Sequence, residues 1–101
     1  MAHVSDILRK LRFIDWLKAE LASHLAALLH AIARNSERAI GEALAALIVT
    51  SYILGRRLGL SFETLDREIA AWLSRYTSKE YDVQNWTGDY AELERHLRQK
   101  R

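Results

Sequence analysis

The chain of 101 residues carries 15 Lys and Arg against 13 Asp and Glu, half of its residues are hydrophobic, and it has neither Cys nor Pro. That length fits a single small domain over residues 1–101, and the composition excludes a disordered tail, a disulfide framework, a cysteine-based zinc finger and a thiol nucleophile. A formal net charge of +2 is too small to argue for nucleic acid.

Helical spacing starts near the beginning of the sequence. Ser5 and Asp6 are N-cap candidates, since a short side-chain oxygen can accept from free first-turn amides. Apolar residues then recur in threes and fours at Ile7, Leu8, Leu11, Ile14, Leu17, Leu21, Leu25, Leu28, Leu29 and Ile32, so a helix is expected over about 5–33. Arg34, Asn35 and Ser36 break it, and Asn35 or Ser36 can cap a second helix over about 36–58. The middle of that helix, Ala43 to Leu54, is apolar nearly all round apart from Thr50 and Ser51. This describes a central helix packed on several sides. The run is short of the roughly 18–20 apolar residues of a membrane span. With no signal-peptide pattern, a soluble cytoplasmic protein and no membrane partner are expected.

Gly59 stops the second helix as a left-handed C-cap, with Arg56 and Arg57 in the last turn. Ser61 opens a third helix over about 61–76, striped by Phe62, Leu65, Ile69, Trp72 and Leu73. Thr77 to Asp82 reads as a loop and Trp86-Thr87-Gly88-Asp89 as a turn, with Thr87 or Asp89 capping a short fourth helix over about 89–99. The three Trp read as core or interface anchors. The fold class is therefore all-α, a bundle of three or four helices per chain. The apolar second helix wants more cover than one small chain gives, so a two-fold homodimer or higher homo-oligomer is expected to complete it.

Chemistry-bearing residues are few. No two of His3, His24, His30 and His96 have the spacing of a helical metal pair, and no Gly-rich phosphate loop or serine-triad motif is present. Glu20 lies among apolar neighbours with His24 one turn later, and Glu42 opens the apolar run. Either carboxylate could point into a bundle and hold Mg²⁺, or sit at the edge of a face and pair with a Lys or Arg. Glu20 and Glu42 are thus the candidate metal ligands; His24, Arg56 and Arg57 are the candidate substrate-binding residues. The stretch Gly55 to Arg67, GRRLGLSFETLDR, has a helix-turn-helix look. However, its second helix carries Glu63, Asp66 and Glu68, which repel phosphates.

A carboxylate-bearing first helix, a long second helix beginning at Glu42, then R-R-L-G-L-S and a third helix resemble the MazG-like proteins, all-α nucleotide pyrophosphohydrolases. The likeness spans about Ser5 to Arg98 and is firmest from Glu42 to Ile69. It implies Mg²⁺-dependent cleavage of nucleoside triphosphates to monophosphate and pyrophosphate, with acids arranged as E-E-x-x-E on one helix and E-x-x-D on the next. Here the first helix reads Ala19-Glu20-Leu21-Ala22-Ser23, which keeps one Glu of three. Aligned on Gly59, the second motif falls on Ala43 and Ala46, with Glu42 beside it. The expectation is a MazG-like protein with a degenerate metal site, acting as a nucleotide-binding or protein-interaction module. Two alternatives remain: an active pyrophosphohydrolase using Glu20 and Glu42, and a DNA-binding protein acting through residues 55–67.

Overall fold

The computed structural model describes residues 2–77 and 88–100. Its helices are α1 (Ala2–Ala33), α2 (Glu37–Arg57), α3 (Phe62–Tyr76) and α4 (Asp89–Gln99), so the fold is all-α as the spacing predicts. The chain divides into two compact units, Met1–Phe62 and Glu63–Arg101.

The first unit is an antiparallel helical hairpin in which α1 packs on α2. Its turn is short because both helix ends are satisfied within a few residues. Asn35 takes a left-handed backbone, φ 55°. The Asn35 amide then donates to Ile32 O and the Ser36 amide to Ala31 O, at 3.0 and 3.1 Å. These two bonds are a Schellman C-cap, which uses carbonyls that the helix itself leaves unpaired. Ser36 in turn caps α2, its side chain accepting from the Ala39 amide at 3.3 Å. The far end of α2 repeats the device. Gly59, φ 101°, lets its own amide reach Arg56 O and the Leu60 amide reach Gly55 O, at 3.1 and 2.8 Å.

The seam between α1 and α2 is built largely from small side chains. Leu17, Ala31, Ala43 and Thr50 are buried, and Ile14, Glu20, Leu21, His24 and Leu28 on α1 and Ala46, Leu47, Ile53 and Leu54 on α2 are half-buried beside them. Small residues let two helix backbones approach closely. The Ser51 hydroxyl bonds back to Leu47 O at 2.7 Å, which satisfies it without a partner helix.

Four expectations need correction. Helix α1 starts at Ala2, so Ser5 and Asp6 lie inside it and cap nothing; the apolar spacing simply continues back through Val4. The first-helix stripe also does not bury as one face. Ile7, Leu8, Leu11, Leu25, Leu29 and Ile32 remain exposed: the first three lie where α1 runs past the end of α2, and the last three sit about a quarter-turn away from the residues that meet α2. Nor is α2 packed on several sides: among the described residues it packs on α1, and Leu44, Ile48 and Val49 are exposed. The expectation that this run falls short of a membrane span is corrected as well: Glu37–Arg57 is long and apolar enough to cross a membrane by length and composition alone, a test that buried core helices of soluble proteins also pass, and 11% of the apolar stretch is buried here.

In the second unit, Leu73 is the buried residue of α3. Trp72 stacks on Tyr76 and Tyr76 on Tyr90, with centroids 5.5 and 4.9 Å apart. The second of these stacks ties the end of α3 to the start of α4. The cap of α4 is Gly88, in a left-handed conformation and without a side-chain hydrogen bond. Asp89 is the first helical residue, placed where its charge favours the positive helix end. Thr87, Trp86 and the loop positions 78–82 lie outside the described residues.

Candidate functional site

The site residues expected from sequence separate along the hairpin. Glu20 and His24 are on the α2-facing side of α1, one turn apart. The His24 Nε2 lies 3.2 Å from a Glu20 carboxylate oxygen, and the two side chains are 28% and 31% exposed. Their half-burial follows from the seam: Leu17, Leu21, Leu28 and Ala31 share that face.

Glu42 points elsewhere. Its carboxylate accepts from Arg38 Nε at 3.2 Å, and its side chain is 69% exposed. Ala43, one residue on, is the position that turns into the seam at 7% exposure. A single step rotates a helical side chain by about 100°, so the same geometry that buries Ala43 turns Glu42 to solvent. Glu42 is therefore paired with an Arg, as the edge-of-face reading has it, and is not gathered with Glu20.

Arg56 and Arg57 each lie over an aromatic ring. The Arg57 guanidinium sits 5.1 Å from the Phe13 centroid. Arg56 sits 5.1 Å from the Phe62 centroid, and Phe62 meets Tyr52 edge to face. The Phe13–Arg57 contact sets the hairpin register. Counting back from it, Glu20 and His24 fall near the level of Thr50 and Ala46, about 10 and 16 Å along α1 from Phe13 at 1.5 Å per residue. His24 and the two arginines thus occupy different levels of the hairpin.

This arrangement does not fit the metal centre that the acidic motifs would build. Among the described residues no three His, Cys, Asp or Glu side chains come together. The two α2 positions assigned to acids are Ala43, buried, and Ala46, half-buried. By the same register they lie at about the level of His24.

Sequence reasoning missed a second feature, at the open end of the hairpin. Asp6, Arg9, Lys10, Phe13 and Arg57 line a cleft of about 440 Å³. A smaller cleft beside it is lined by Ser5, Leu8, Arg9 and Arg12. The spacing Arg9, Lys10, Phe13 was visible in the sequence, but Arg57 joins it only through the register of the hairpin.

A tight helical hairpin whose buried positions are mostly small, followed by two shorter helices, defines the class: an all-α helical protein. The chain belongs to the MazG-like family, whose model matches residues 7–100. No curated protein and no solved structure matches it.

Proposed function

We propose that this MazG-like chain is a self-assembling module with a degenerate acidic site, a cytoplasmic homodimer or higher homo-oligomer that does not cleave nucleotides. One observation carries the reading: large apolar side chains on one side of the hairpin are exposed. Leu25, Leu29 and Ile32 are 50%, 59% and 53% exposed, and Leu44 and Ile48 are 44% and 58% exposed. The spacing of each set puts it on one face of its helix, and antiparallel pairing turns the two faces to the same side. A contiguous patch of this kind marks an interaction surface, and a second copy brings an identical patch to an isologous contact.

Sedimentation velocity of the full chain tests the proposal. A dimer or larger species is expected. Ile48→Glu combined with Leu29→Glu should give a monomer, with helicity followed by circular dichroism. A monomeric wild-type chain would refute the reading, and recovery of the chain only in the membrane fraction would assign the patch and α2 to lipid instead.

A second reading rests on the Glu20–His24 pair, which is half-buried on the seam side. A nucleotide-binding site retained there, with Mg²⁺ if a neighbouring copy adds carboxylates, predicts a magnesium-dependent rise in melting temperature with nucleoside mono- or triphosphates. Glu20→Gln should abolish that rise. Pyrophosphate release with the same dependence would identify a working hydrolase.

A further inference from the structure

The basic cleft at the open end of the hairpin is separate from both the acid register and the apolar patch. Helix α1 is 32 residues long and α2 is 21. With Arg57 at the level of Phe13, about the first ten residues of α1 extend past the end of α2. Arg9 and Lys10 lie on this overhang, and Arg57 reaches it from the last turn of α2. Three cations therefore converge on one cleft with a single carboxylate, Asp6.

These cations are unspent. Elsewhere in the hairpin, Lys18 pairs with Asp15 and Arg38 with Glu42. Among the described residues Arg9, Lys10 and Arg57 form no salt bridge. Arg57 instead lies over the Phe13 ring, its guanidinium carbon 5.1 Å from the centroid, a contact that leaves its N–H donors available. A pre-positioned guanidinium loses less freedom on binding an oxyanion. The formal charge of the lining, three positive and one negative, is +2. That complements a phosphate monoester, which carries about −1.5 to −2 near neutral pH.

We infer that this cleft binds the terminal phosphate of a phosphomonoester. Arg57 supplies a planar fork seated over Phe13, and Arg9 and Lys10 close on the phosphate from the overhang. Binding needs no metal and does not involve Glu20, so it stands or falls apart from the second reading above. A soluble ester and a lipid headgroup share this chemistry. The exposed Val4, Ile7, Leu8 and Leu11 next to the cleft make the lipid source worth a separate arm.

Calorimetric titration of the full chain in EDTA, with adenosine monophosphate and with inorganic phosphate, is the test. A second arm measures cosedimentation with phosphatidylcholine vesicles containing or lacking phosphatidic acid. Saturable binding of either soluble probe, or retention by phosphatidic acid vesicles alone, supports the inference and names the source. Arg9→Gln with Lys10→Gln, and separately Arg57→Gln, should each weaken binding about tenfold or more. Lys18→Gln with Arg34→Gln removes the same charge away from the cleft and should change it far less. Glu20→Gln should leave it unchanged. Equal weakening by both charge-removing pairs would reduce the effect to net charge and overturn the site, as would no binding in either arm.

Discussion

In the Met1–Phe62 unit the buried residues are Leu17, Ala31, Ala43 and Thr50, so two long helices meet along a seam of mostly small side chains. The Glu63–Arg101 unit buries Leu73 and otherwise relies on rings: Trp72 on Tyr76, Tyr76 on Tyr90, and the Arg75 guanidinium 4.6 Å above Trp72. The difference follows from helix length. A long helix pair spreads its contact over many turns, and each residue need contribute little. Helices of 15 and 11 residues have few turns to share and are joined by a few large, oriented contacts. Substitutions in the first unit should therefore act through fit and charge in the seam, and those in the second through single contacts.

The largest expected effect is at Ala43. A glutamate there places a charge into the seam with no cation provided to meet it, and should cost about 3 kcal/mol or more. Urea denaturation followed by circular dichroism reads the loss directly. Ala46→Asp, at a half-buried position, should cost clearly less. If Ala43→Glu is tolerated with full stability, the seam is looser than the buried alanines indicate and the contrast between the units collapses.

The same position shows what the sequence made legible. All four helices, their apolar spacing, the Ser36 cap and the Gly59 stop follow from local rules, and the structure reproduces them within a few residues. The start of α1 was not legible, because Ser5 and Asp6 look like caps while nothing in Ala2 to Val4 prevents a helix from continuing. The Glu20–His24 contact was readable as an i, i+4 pair. The direction of Glu42 was not. A run from Ala43 to Leu54 that is apolar on every side does not reveal which edge meets α1, and one residue of register decides whether a carboxylate faces the seam or water. The basic cleft was invisible for a related reason: it joins residues 9–13 to residue 57 through a tertiary register.

A smaller effect sharpens the other half of the comparison. Tyr90→Leu keeps apolar bulk but removes the ring that stacks on Tyr76, and should cost about 1 kcal/mol. Hydrogen exchange is the suitable measurement, because it reads each unit separately. Amides of α4 should lose protection while those of the α1–α2 seam keep theirs. Equal loss in both would mean that the two units open together.

The smallest effect expected in the hairpin concerns its two left-handed positions, Asn35 and Gly59. Beyond its own chain neighbours, no atom lies within 4 Å of a Cβ built on Gly59, so the cost of Gly59→Ala is conformational. An L-residue with a side chain disfavours positive φ, and about 1 kcal/mol is expected. Asparagine is the non-glycine residue that best tolerates this region, and Asn35 already occupies it at φ 55°, close to the left-handed helical value. Gly59 sits much further out, at φ 101°. Asn35→Gly should therefore be nearly neutral, whereas Gly59→Asn should recover only part of the loss seen in Gly59→Ala. Thermal melts of the three variants decide between a preference set by residue type and one set by the φ each turn demands. If Gly59→Asn matches the wild type, the stop after α2 relaxes towards the geometry of the turn after α1, and the two Schellman caps of the hairpin are interchangeable.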